Sequence, residues 1–199
     1  MLTIGITGPT GAGKTTVLEQ LKKLGAAVID CDALYHNILE SDVVLQDTLV
    51  KKFGNIRDVN GAVDRKRLGD IVFHAPDKLT ELNQIVHKTI AVAVKQRLAA
   101  FVCDDVHSIA AIDASGLFES GLYKLCDITL AVLASKEIRA KRIMAREGIG
   151  ENYALARISA QQPDSFYLSH SMYVLRNETD NKEEFEAAVR KFLNEIIPK

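Results

Sequence analysis

At 199 residues, 47% hydrophobic and 26% charged, the chain is long enough for one domain with a substantial buried core and has the balance of an ordinary globular protein. A formal net charge of −1 and a pI near 6.5 carry no basic footprint, so the expected partners are small molecules and no nucleic acid. No apolar run approaches membrane-spanning length, no charged leader precedes the first strand-like segment, and Cys31, Cys103 and Cys126 show neither CxxC spacing nor a ligand pattern with the histidines; these features predict no membrane attachment, reduced thiols, no structural zinc and a cytoplasmic location.

Leu2–Thr7 is a short apolar, β-branched run that reads as a buried strand. Gly8-Pro9-Thr10-Gly11-Ala12-Gly13-Lys14-Thr15 then spells G-x-x-x-x-G-K-[ST], the loop that wraps backbone N–H groups around nucleoside triphosphate phosphates. Lys14–Leu24 follows with Val17, Leu18, Leu21 and Leu24 at helical spacing, so the loop joins strand to helix. The first turn of such a helix has N–H groups without internal partners and carries the positive end of the helix dipole, which suits an anion. Gly11, Ala12, Gly13, Lys14, Thr15 and Thr16 are therefore the expected contacts to ATP. Lys14 is placed on the β- and γ-phosphates and the Thr15 hydroxyl on Mg²⁺.

Gly25 stands where a left-handed helix cap belongs, and Ala26–Ile29 reads as a second strand with Asp30 and Asp32 at its carboxyl end. Along an extended segment the Cys31 side chain points away from those of Asp30 and Asp32. Residues 33–105 form an insertion of helical pattern, with pieces near Ser41–Phe53, Arg65–Phe73 and Pro76–Val102 and a polar, turn-rich break at Gly54–Gly61. Strand-like runs return at Ser108–Asp113, Asp127–Ala134 and Tyr173–Leu175. Between the last two, Arg139, Lys141, Arg142, Arg146 and Arg157 gather around Glu147-Gly148-Ile149-Gly150, which suggests a lid closing on phosphates, with Arg142 and Arg146 one turn apart. Glu183–Ile197 reads as an amphipathic helix whose Phe185, Ala188, Val189, Phe192, Ile196 and Ile197 face the sheet, and His36, His74, His107 and His170 belong to no motif.

Strands alternating with helices predict an α/β fold with a parallel sheet, whose ligand crevice lies outside the carboxyl ends of the strands. The P-loop, Asp30, Asp32 and Asp113 are expected to converge there. The expected organisation is one domain over 1–199, with a core of 1–32, 106–138 and 172–199, a substrate insertion at 33–105 and a lid at 139–171.

The order and spacing of several pieces resemble the dephospho-coenzyme A kinase family over nearly the whole chain. They are Ile4–Gly8 with the P-loop, Val28-Ile29-Asp30-Cys31-Asp32, Gly61-Ala62-Val63-Asp64-Arg65, Leu82–His87, Leu117-Phe118-Glu119, Arg142 with Arg146, Arg157–Gln161 and Val174-Leu175-Arg176-Asn177. The resemblance implies a P-loop kinase fold with a five-stranded parallel sheet. It also implies ATP-dependent phosphorylation of the ribose 3′-hydroxyl of dephospho-coenzyme A. By the same resemblance Asp32 accepts the hydroxyl proton, Arg142 and Arg146 neutralise equatorial oxygens, and Asn177 lies beside the adenine. Arg65, His87, Phe118 and Glu119 are implied on the acceptor, and Asp113 is expected to organise Mg²⁺ and its water.

The chain departs from the family pattern at Ser115-Gly116, at Lys88 after His87, at Ser171-Met172 and at Glu178-Thr179. None of these touches the P-loop, Asp32 or Arg142. Another nucleoside or nucleotide kinase and a catalytically silent ATP-binding regulatory protein are the competing readings, and a monomer or small homo-oligomer is expected.

Overall fold

The computed structural model describes residues 1–73, 75–104 and 106–197. His74 and Asp105, where the expected insertion ends, lie outside the described residues, as do positions 198 and 199. Strands β1 (Leu2–Thr7), β2 (Ala27–Asp30), β3 (Ile109–Asp113), β4 (Ile128–Leu133) and β5 (Tyr173–Arg176) make one parallel sheet in the order β2-β3-β1-β4-β5. β1 lies at its centre, with Leu2 opposite Ile109 and Ile6 opposite Asp113 on one side, and Ile4 opposite Ile128 on the other. That position explains the continuous apolar sequences of β1 and β4, because a parallel sheet covered on both faces leaves no polar side. β5, at the edge, is only half-buried.

The nine helices among the described residues are α1 (Lys14–Lys23), α2 (Cys31–Ser41), α3 (Val43–Phe53), α4 (Arg65–Phe73), α5 (Pro76–Asp104), α6 (Lys136–Glu147), α7 (Glu151–Ser159), α8 (Asp164–His170) and α9 (Lys182–Ile196). None of them is long and apolar enough to cross a membrane. Gly25 takes the left-handed conformation at φ 80° and its N–H returns to the Lys22 carbonyl, which ends α1 where the sequence placed a cap. α5 continues through Lys88.

Two compact units emerge, Met1–Ile29 with Ala99–Lys199, and Asp30–Leu98. In the first, Val17 and Leu21 of α1 and Phe185, Val189 and Leu193 of α9 cover Ile4, Ile6, Leu130 and Val132 of the sheet. Each such side chain contributes about 1.5–3 kcal/mol on full burial. The expected α9 face needs one correction: Ala188 is exposed, and Leu193, one turn after Val189, fills the buried position. The second unit has a core of its own, built from Leu39, Leu45, Leu49, Phe53, Ile56, Leu68 and Val72.

The start of that second unit differs from the extended segment expected through Asp32. The chain turns helical at Cys31, because the Asp30 carboxylate accepts the Ala33 N–H at 2.9 Å and caps α2. Cys31 is buried all the same, but by helical rather than strand geometry. Asp42 repeats the device, accepting the Leu45 N–H at 3.0 Å, so α3 begins at Val43 and not at Ser41. Within the predicted break, Asp58 accepts the N–H groups of Asn60 and Ala62, and Arg57 bridges to Val63 as a short antiparallel turn.

Candidate active site

The loop between β1 and α1 has the shape its sequence requires. Gly13 takes φ 107° at the head of α1, and a Cβ there would sit 2.4 Å from Asn177 Nδ2. Gly8 is as constrained, since its Cβ would meet the Val132 carbonyl oxygen at 2.2 Å. Lys14 Nζ donates to the Gly8 carbonyl at 2.7 Å and so spans the loop. Thr15, on the first turn of α1, is exposed.

The outer side of the loop is held by side chains from far along the chain. Arg139 Nε donates to the Thr10 carbonyl at 3.0 Å and its Nη2 to Gln161 Oε1 at 2.5 Å. Gln161 in turn donates to Thr10 Oγ1 and accepts the Thr10 N–H. Arg142 Nη1 donates to the Gly11 carbonyl at 3.1 Å, while its Nη2 donates to Asn177 Oδ1 and the Thr179 carbonyl. Asn177 Nδ2 donates to the Ala12 carbonyl at 2.9 Å. Arg139 and Asn177 are only 3% and 4% exposed, so these contacts are screened from water. Burial lowers the pKa of Arg139, and the nearby Asp164 charge opposes that shift.

Two cavities flank the loop. One of about 350 Å³ is lined by Gly8, Ser115, Gly116, Glu119, Gln161 and Tyr167. Burial, with the Glu119 charge next, pushes the Tyr167 phenol up to about 12, so it remains a neutral donor. Asp113 ends β3 opposite Ile6, two residues before Gly8, and the Thr7 hydroxyl donates to the Ser115 carbonyl, tying the loop after β3 to the P-loop. The second cavity, about 210 Å³, is lined by Gly13, Thr16, Arg142, Asn177, Asn181 and Phe185. The departures from the family pattern nearby are engaged. Glu178 accepts the Ser135 N–H, and the Thr179 hydroxyl donates to Glu184.

The remaining sequence-selected residues are spread more widely. Phe118 packs with Tyr123, Phe166 and His170 in an aromatic cluster, and Glu119 accepts from Gln162 Nε2. Arg146 is exposed and pairs with Glu147, as does Arg157. Hydrogen bonding from Arg146 first, then the pairing with Arg157, holds the Glu147 carboxyl below its ordinary range. In the second unit, Asp32 is exposed on the first turn of α2, Arg65 is exposed at the start of α4 and His87 is half-buried on α5. Burial raises the pKa of Tyr35, one turn after Asp32, and the Arg65 charge opposes the rise, which places Arg65 near that part of α2.

Sequence reasoning grouped Arg139 with the lid arginines and gave Gln161 no role. A cue was present, because Arg139 shares a helix face with the buried Ala140 and Ile143.

Residues 2–183 match the family model for dephospho-CoA kinase. The dephospho-CoA kinase of Dehalococcoides mccartyi is 35% identical over 178 residues, 89% of this chain and 89% of that protein. A crystal structure from Thermus thermophilus is 31% identical with a TM-score of 0.79, covering 99% of this chain and 98% of the other. The dephospho-CoA kinase from Campylobacter jejuni is 25% identical with a TM-score of 0.69, covering 98% and 96%.

Proposed function

The chain belongs to the dephospho-CoA kinase family, and from that premise we propose that it transfers the γ-phosphoryl group of ATP to the ribose 3′-hydroxyl of dephospho-CoA, giving CoA and ADP in the last step of coenzyme A synthesis. The observation that carries this reading is the family match over residues 2–183, which includes the P-loop. The named relatives favour neither alternative, another nucleoside kinase or a silent ATP-binding protein.

In this reading the P-loop N–H groups and Lys14 hold the ATP phosphates, and the cavity beside Gly13, Arg142, Asn177 and Phe185 takes the adenine. Asp32 accepts the proton of the ribose hydroxyl as its oxygen attacks the γ-phosphorus. The bond from that phosphorus to the β,γ-bridging oxygen breaks, and ADP leaves with the electron pair. Arg146 approaches the equatorial oxygens from the lid. Arg142, with its Nη groups on the Gly11 and Thr179 carbonyls and Asn177, stabilises them through the loop, and meets them directly only after exchanging one of those partners.

Arg65, His87, Phe118 and Glu119 hold the acceptor, with 33–105 as its binding region and 139–171 as the lid. Thr15 and Asp113 offer the hard oxygen donors that Mg²⁺ prefers; together with phosphate oxygens they fit that ion, which when bound neutralises charge on the β- and γ-phosphates. The same reading gives small-molecule partners and a cytoplasmic monomer or small homo-oligomer.

The test is ADP release from Mg·ATP with dephospho-CoA, adenosine, AMP, CMP or no acceptor, with the product mass measured. Stimulation by dephospho-CoA with phosphate added at the 3′-oxygen is expected. Stimulation only by another acceptor, or none at all, overturns the assignment.

A further inference from the structure

We infer that Arg139, supported by Gln161, is a positioning residue for phosphate binding: it holds the Thr10 carbonyl outward and thereby turns the Gly11 N–H inward to the triphosphate. The inference rests on the reading of the loop as an ATP site and adds residues to which that reading gave no role.

In a planar trans peptide the carbonyl of one residue and the N–H of the next point in opposite directions. A carbonyl tied down on the outside of a loop therefore fixes the following N–H on the inside. Three successive peptides of this loop are tied in that way, each by a different side chain. Arg139 takes the Thr10 carbonyl, Arg142 the Gly11 carbonyl and Asn177 the Ala12 carbonyl. The N–H groups so directed are those of Gly11, Ala12 and Gly13; that of Ala12 closes a turn on the Pro9 carbonyl at 3.3 Å, and those of Gly11 and Gly13 are the ones offered to a phosphate. Two of the three ties are charge-assisted, and those are the stronger kind.

Arg139 is the member best suited to set this geometry. Its guanidinium is buried, and it reaches the loop both directly and through Gln161, which itself contacts the Thr10 N–H and hydroxyl. The contact with α6 also involves backbone. A Cβ on Gly11 would lie 3.0 Å from the Arg139 carbonyl oxygen and 3.1 Å from its Cα, so the loop is seated on the first turn of α6. A helix assigned to the lid by sequence thus sets the orientation of the phosphate cradle.

The test compares tripolyphosphate, ATP and adenosine binding by calorimetry in wild type, Arg139→Met, Arg139→Lys and Gln161→Ala, with Tm recorded for each. Methionine keeps the length of the buried side chain and removes its donors. Arg139→Met is expected to weaken tripolyphosphate and ATP about tenfold while leaving adenosine unchanged, the loss of one charge-assisted bond. Arg139→Lys, with one donor group in place of a fork, should recover part of the loss. If Arg139→Met does not fold, Gln161→Ala at the rim carries the test, with a phosphate-selective loss of roughly threefold expected. A folded Arg139→Met with wild-type tripolyphosphate affinity, or equal losses for tripolyphosphate and adenosine, overturns the inference, as does an unchanged Gln161→Ala where only that variant folds. A wild-type protein that binds tripolyphosphate but does not phosphorylate dephospho-CoA overturns the proposed reaction and leaves this inference intact.

Discussion

Around the P-loop, the Thr10, Gly11 and Ala12 carbonyls each have a side-chain partner, and two of those partners, Arg139 and Asn177, are buried. In the unit Asp30–Leu98 the residues assigned to the acceptor are held quite differently. Asp32 and Arg65 are exposed, on the opening turns of short helices that pack on a separate core. In the proposed reading the phosphate side is thus preorganised, with its ordering cost met during folding, whereas the acceptor side orders its side chains when substrate arrives. Such a division suits a kinase, since a rigid cradle directs charge at the phosphates and adaptable groups wait for the second substrate.

Substitutions on the two sides should separate accordingly. The largest effect is expected from Asp32→Asn, with kcat reduced by roughly 10²–10⁴-fold and ATP affinity unchanged, read from steady-state kinetics beside direct ATP binding. A near-normal rate would move the base away from Asp32. Lys14→Ala should reduce turnover by roughly 10²–10³-fold and weaken ATP binding as well, because it removes charge from the rigid side. Loss of rate with wild-type ATP affinity would place Lys14 in the transition state alone.

Leu49→Ala, in the core of the second unit, should cost about 2–5 kcal/mol of that unit's stability. Hydrogen exchange should show loss of protection across Leu39–Val72 while the sheet stays protected. Equal loss in β1 and β4 would mean that the two units do not melt separately. The smallest effect concerns the segment 139–171, proposed as the lid. Glu147, held below its ordinary 4.5 by Arg146 and Arg157, contributes stability that is present above that value and fades as pH falls through the lowered one. The Tm difference between wild type and Glu147→Gln should thus shrink between about pH 7 and about pH 3. A constant difference would show that the pair does not act through charge.

Much of the first unit was legible because its signals are local. The apolar run Leu2–Thr7, the glycines and Lys14 of the loop, and Gly25 each announce a backbone state through their own chemistry. The second unit is less legible at its start: Asp30 does end β2, but it also caps α2 through the Ala33 N–H, so Cys31 and Asp32 lie on a helix and not on an extended segment. Arg139 was missed for a different reason. Its helix face could be read from the pattern, but its target, the Thr10 carbonyl, belongs to a residue 129 positions earlier, and no pattern within α6 points there.

The central place of β1 in the sheet also bears on how the protein is made. During synthesis Leu2–Thr7 leaves the ribosome before either of its neighbours exists, and Leu2 must wait for Ile109, about 5–20 s at ~5–20 residues per second. In that interval the helices of Asp30–Leu98 emerge with a core of largely local contacts, which favours rapid folding. The nascent chain thus holds an apolar strand without a partner beside a helical segment that can already condense, and the phosphate loop takes shape only when β3, β4 and α6 arrive. The strand that comes to lie at the middle of the sheet is therefore open to mispairing or chaperone capture during translation.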